Sequence, residues 1–363
     1  MLYFILGVIV GALVNLLPVL QPLGGFELYP QWIGSISSIG TIAASPDPEA
    51  AKGKLPAVVT AESIVKLRGD GAVLHRRDTP GKLVAASGSG AYYATFEKTG
   101  RDIEFFNIAG ERFWKLQSQE YPYLTYNGGL VMLLVGDQSR LRIVDYNGNM
   151  RDDAVLTGRF CTIIASAPES DCAAAGFMDG KYYIIGKNGG VLTAGSVPEL
   201  CIVKNIALSP DGAYAAVHFG DEKADSLMLL NTQKNKRHFA KLGRVHVTKT
   251  ALSVTDDGTS AVIDYDRILL LTRKGKTART FDIPPARDGA SSITHTAGLY
   301  AAGYTRTTGE AQFLLFTDDG TVVYRKAFPE ESFLDAKMSG NLILLRGSQN
   351  LYCYRYLFPE PRR

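Results

Sequence analysis

The chain has 363 residues, 46% hydrophobic and 21% charged, which excludes a mainly disordered protein and allows a sizeable core. Thirty-nine basic residues against 36 acidic ones leave a net charge of +3, too slight a bias to point to nucleic acid. Four cysteines make neither a disulfide framework nor a zinc module, and 37 glycines without a three-residue period exclude collagen.

From Met1 to Leu20 the chain reads MLYFILGVIVGALVNLLPVL, with no charged side chain. About 20 apolar residues span a bilayer as a helix, because every backbone polar group is then bonded internally. The expectation is one transmembrane signal-anchor over 1–20, left uncleaved. No Lys or Arg precedes Lys52, and the first small-residue cleavage site, near Ala43-Ala44, lies far downstream. With almost no tail ahead of the span, everything after it is expected on the extracytoplasmic (periplasmic) side of the inner, cytoplasmic membrane. Residues 21–59 then form a juxtamembrane segment and linker. Phe26, Tyr29 and Trp32 suit either the membrane interface or ordinary loop packing, and Ser35 to Pro56 is small, polar and proline-interrupted.

From about residue 60 to the end, short β-rich runs alternate with turn dipeptides. Asp-Gly or Asn-Gly occurs nine times, from Asp70-Gly71 to Asp319-Gly320. Such pairs tolerate the positive φ of tight hairpin turns. The hairpins group into units of roughly forty residues, the length of a four-stranded propeller blade. Units begin near Leu83, Tyr121, Phe160, Cys201, Val247 and Ala290, and an incomplete one begins near Ser332. The reading is an all-β chain, a seven-bladed β-propeller over 60–363, with two sandwiched β-domains as the alternative. The last unit lacks its fourth strand, which AVLHRR (72–77) is expected to supply. SIVKLRG (63–69) can pair beside it in a two-plus-two closure.

Ser209-Pro-Asp-Gly-Ala-Tyr214 resembles the hairpin of WD-like propellers and of the propeller domain of the periplasmic Tol protein, and Ser253-Val-Thr-Asp-Asp-Gly258 is a lengthened echo. The Gly-His and Trp-Asp pair of the strict WD repeat is missing, as is the tryptophan-docking pattern of quinoproteins. The resemblance therefore implies a divergent WD-like or quinoprotein-like propeller, and it implies fold alone.

No motif assembles a catalytic set. The five histidines, His75, His218, His238, His246 and His295, fall in different units with no ligand spacing. Asp256-Asp257-Gly258 and Asp318-Asp319-Gly320 do not continue into a calcium loop, and Gly88-Ser89-Gly90 is not followed by a phosphate-binding helix. A turn near Glu169 pairs Cys161 with Phe177 and leaves Cys172 out of register for a disulfide. No catalytic residue, metal or cofactor is expected. Lys204, Asn205, Thr248, Lys249 and His295, polar residues on or near inner strands, are the candidate partner contacts. The functional expectation is a membrane-anchored, non-enzymatic scaffold for other proteins, in cell-envelope assembly or in support of an envelope machine. The alternatives are a lactonase-like hydrolase or lyase, and a small-ligand receptor.

Overall fold

Strand pairing divides the described residues of this computed structural model (26–41, 45, 47–151, 156–296 and 298–357) into eight antiparallel sheets. Blade 1 comprises Lys54–Val59, Ser63–Arg68 and Val73–Asp78. Blade 2 runs from Leu83–Ala86 to Arg112–Gln117, and blade 3 from Tyr121–Leu124 to Met150–Arg151. Blade 4 runs from Cys161–Ser166 to Val191–Ser196, and blade 5 from Ile202–Leu208 to Lys236–Lys241. Blade 6 runs from Leu252–Val254 to Thr277–Asp282, and blade 7 from Ala286–Thr296 to Val322–Phe328. Blade 8 combines Leu334–Ser339, Leu342–Gly347 and Asn350–Leu357 with an outer strand, Glu27–Ser35, from the other end of the chain.

Among the described residues seven blades have four strands and blade 1 has three. The all-β propeller expectation holds, but the ring has eight blades, not seven. The closing strand is Glu27–Ser35 rather than residues 72–77, which together with 63–68 belong to blade 1. Residues 27–35 and 54–59, read from the sequence as juxtamembrane segment and linker, are both propeller strands. A proline disguises each. Pro30 and Pro56 sit at register shifts on strands at the margins of their sheets, where a missing N–H costs no ladder bond.

Among the described residues no helix is long and apolar enough to cross a membrane. This corrects the expectation of a single-pass inner-membrane protein; the anchor expected over 1–20 lies outside the described residues.

Burial follows position in the blade. Middle strands such as Ala173–Phe177, Ser260–Asp264 and Arg267–Leu271 are buried on both faces, because each blade is covered by its two neighbours. Outer strands such as Thr277–Asp282 are largely exposed. Asp-Gly pairs close hairpins as expected. Asp211 accepts from the Ala213 amide, and Gly212 takes the left-handed conformation at φ +81°. Asp288-Gly289 is an exception, lying at a bulge in the first strand of blade 7. Cys161 pairs with Phe177, and all four cysteines are free thiols.

First strands of successive blades lie side by side and ring the axis. Side chains of one bond the backbone of the next: Thr162 Oγ1 donates to the Val203 carbonyl at 2.6 Å, and Asn205 Nδ2 to that of Thr250 at 2.7 Å. In blade 1 the strand nearest the axis is Lys54–Val59, beside the first strands of blades 8 and 2. Ser339, at the end of blade 8's first strand, donates to the carbonyl of Lys54, at the start of this one. Lys54–Val59 therefore runs opposite to its neighbour on the axis. It has the direction of a second strand, so among the described residues blade 1 has no innermost strand.

The seam between blades 8 and 1 is sealed by apolar packing of Trp32, Leu55, Val58, Val65, Leu67, Leu342 and Leu344. Trp32 Nε1 donates to the Gly69 carbonyl at 2.9 Å. Gly69 has no room for a side chain, since a Cβ there would come within 2.2 Å of the Ala50 carbonyl oxygen.

Candidate functional site

Two polar assemblies stand out, one buried between blades 5, 6 and 7 and one around the axis. The first centres on Asp225, at the start of a strand (Asp225–Asn231) and fully buried. Its carboxylate accepts from Lys204 Nζ at 2.7 Å, His218 Nε2 at 2.9 Å and the His246 amide at 2.8 Å. His246 continues the chain of bonds, with Nε2 3.1 Å from Asp264 and Nδ1 3.2 Å from Asp288. Arg267 and the Gly243 amide also donate to Asp264, and Arg244 and the Val247 amide to Asp288.

Burial alone would raise the Asp225 carboxyl, but His218, Lys204 and the His246 amide together hold it below the usual carboxylate range. Asp264 behaves alike: burial opposes ionisation, and His246, the Gly243 amide and Arg267 overcome it. Burial lowers His218 more than Asp225 raises it, so the ring is neutral and donates from Nε2. Its Nδ1 has no hydrogen-bond partner among the described residues. The assembly ties three blades together, and its central groups are sealed from solvent.

The second assembly is a cavity of about 750 Å³, lined from six of the eight blades: 1, 2, 3, 4, 7 and 8. Only the axis is reachable from so many blades. Lys54, Lys66, Lys337, His75 and His295 line it, against Glu169 as the one carboxylate among the lining residues. Lys66 is only 8% exposed, and its ammonium donates to the Ser89 carbonyl. Burial, reinforced by Lys54, lowers it to about 8. The Gly88-Ser89-Gly90 turn reaches Lys66 because Gly90, at φ +66°, has no Cβ; one there would meet Lys66 Nζ at 2.9 Å.

The five expected contact residues separate. Lys204 is an ion-pair partner of Asp225 with its side chain only 8% exposed, and Asn205 is committed to the next blade. Thr248 and Lys249 are exposed on the connection between blades 5 and 6. His295 lines the axial cavity, with Nε2 3.1 Å from Asp318 and its ring 4.4 Å from that of Tyr300. Reading the sequence alone misses Lys66, Lys337, Asp225 and Asp264. One signal for Lys66 was present, a lone lysine in the otherwise apolar SIVKL.

On the face of Thr248 and Lys249, two apolar side chains stand in the connections that follow fourth strands. Leu200, between blades 4 and 5, is 95% exposed, and Val247, between blades 5 and 6, is 86% exposed. Leu200 also has φ +65°, a conformation unfavourable for a branched side chain.

No protein-family profile and no curated protein sequence matches this chain. Solved structures do. BamB from Moraxella catarrhalis aligns with a TM-score of 0.61 at 11% identity, over 93% of this chain and 99% of that one. The dihydro-heme d1 dehydrogenase NirN, in complex with DHE, aligns at 0.57 and 11%, over 91% and 79%. KlHsv2, with loop 6CD replaced by a Gly-Ser linker, aligns at 0.52 and 12%, over 75% and 93%. BamB and NirN are β-propellers, so the likeness is one of fold.

Proposed function

We propose that this protein is a non-catalytic docking platform for other proteins, in the setting of cell-envelope assembly. The observation that carries the reading is Leu200, nearly fully exposed in a left-handed backbone conformation on the same face as exposed Val247, Thr248 and Lys249. Backbone strain at an exposed apolar tip has no packing to offset it within the chain, and it is accounted for by a partner that buries the side chain. A rigid ring holds such loops in fixed relation, so adjacent connections present one surface. The polar groups gathered around Asp225 are inaccessible to a substrate, in keeping with a structural role for them.

The test is site-specific photo-crosslinking from position 200, 247 or 249 in the native cell, against a residue of an outer strand such as Arg279. Specific adducts from the first three sites, weakened by Leu200→Asp with unchanged melting, support the reading. Equal crosslinking from all four positions refutes it, and the captured partner decides the envelope setting.

A further inference from the structure

The axial cavity and the proposed docking rim lie on opposite faces. The rim consists of connections that follow fourth strands, whereas the cavity is lined by turns after first strands: Gly88 to Ala91, Tyr126 and Ser166 to Glu169. The cavity therefore calls for its own account.

Two observations converge there. The first is charge: three lysines face the space and one carboxylate, Glu169, answers them, while His295 is bonded to Asp318 outside the lining. The second is Lys66. A buried ammonium is normally paired with a carboxylate, because desolvation without a counter-charge is costly. Lys66 has no such partner among the described residues; its hydrogen bond goes to the neutral Ser89 carbonyl. Two other well-buried cations have theirs, Lys204 in Asp225 and Arg355 in Asp47. Blade 1 supplies the reason for the opening. With no innermost strand among the described residues, its second-type strand borders the axis, and Lys66 on the next strand reaches the space there.

We propose that the axial cavity binds a small anion carrying two or more negative charges, as carboxylate or phosphate groups, with Lys66 and Lys337 as its principal partners. A volume of about 750 Å³ accommodates a small organic anion. Lys54 and His75 enter from blade 1 and His295 from blade 7; Glu169 on the far wall disfavours a ligand that fills the whole cavity with negative charge. Binding is linked to protons. An anion favours the charged form of Lys66, so it raises the ammonium from about 8 and draws a proton onto it at slightly alkaline pH.

Isothermal titration of the full chain with pyrophosphate and, separately, citrate at pH 7 and constant ionic strength tests this. Saturable binding of at least one of them, at one per chain, is expected. Lys66→Met and Lys337→Gln should each weaken it about tenfold, the scale of one charge-assisted hydrogen bond. Lys249→Gln, on the opposite face, should leave it unchanged. Affinity should fall as pH rises through 8, with proton uptake on binding at pH 8 that Lys66→Met abolishes. Absence of saturable binding, or affinity unaltered by Lys66→Met and Lys337→Gln in variants that melt normally, overturns the proposal. So does binding of an acidic hexapeptide when neither small anion binds. Should Lys66→Met fail to fold, Lys337→Gln and proton uptake by the unaltered chain decide. Failure here leaves the docking reading standing, since its crosslinks come from the other face.

Discussion

The seam between blades 8 and 1 and the junction of blades 5 to 7 solve the same problem with opposite materials. Each must hold neighbouring blades in a fixed relation. The seam does it with Trp32, Leu55, Val65, Leu67 and Leu342, brought together from opposite ends of the described chain. The junction does it with Asp225, His218, His246, Asp264 and Asp288, contributed by consecutive blades. Apolar packing is non-directional and scales with the area removed from water, which suits a closure whose two parts meet only after the ring has formed. Buried charges are costly unless every partner is in place, so the junction tolerates little variation in geometry. The two regions should therefore fail in different ways.

The largest effect is expected from deleting residues 27–35. Without the outer strand of blade 8 and Trp32, the Asn350–Leu357 edge is unpaired and open to other chains. Aggregation on size-exclusion chromatography and loss of one cooperative melting transition are expected. Normal melting as a monomer would show that the seam does not close the ring. Single substitutions sharpen the contrast. Trp32→Ala should cost about 3–5 kcal/mol in urea unfolding by leaving a cavity. Asp225→Ala should cost about 3–5 kcal/mol by stranding Lys204 and His218. Asp225→Asn should cost less, because the side chain still accepts hydrogen bonds.

Acid separates the two regions further. His218 is held below its ordinary value of 6.5 by burial, so below pH 6.5 the unfolded chain takes a proton that the native ring refuses. Stability is expected to fall as pH drops below 6.5. A second loss should follow below about pH 4, where the unfolded chain protonates carboxylates that Asp225 and Asp264 keep ionised in the native state. His218→Gln still donates toward Asp225 but does not titrate, so it should flatten the first phase and leave the second. Melting temperatures from about pH 2 to 8 for the two proteins check this; an unchanged first phase in His218→Gln would assign it elsewhere.

The smallest effect belongs to Lys249. Lys249→Glu should change stability by less than about 0.5 kcal/mol, as for other exposed sites. Lys204→Glu should destabilise strongly, since it sets a second carboxylate against Asp225. Equal melting of the two variants would refute the burial of Lys204.

The two lysines also show how far the site was legible. Both stand on or near inner strands, in IVKNIAL and VTKTAL, and from the sequence they read alike. Strand phase and the position of Asp225, which lies 21 residues from Lys204, separate them. Asp225 follows a loop of charged residues, GDEKAD, and in sequence it is indistinguishable from them. Lys66 carried a better signal, a lone cation among apolar strand residues, but the space before it follows from the absence of an inner strand in blade 1 among the described residues.

Local chemistry determined the strands, most of the hairpin turns and the blade repeat from Leu83 onward, because alternating burial and Asp-Gly turns act over a few residues at a time. The number of blades, the strand that closes the ring and the company each polar residue keeps were decided by the tertiary structure. KLPAVV and ELYPQWIGS carry prolines that suppress the strand signal, and they are strands because blade 8 and the rest of blade 1 leave edges for them to cover. An unpaired edge and a space at the axis are properties of the assembled ring, and no short stretch of sequence contains either.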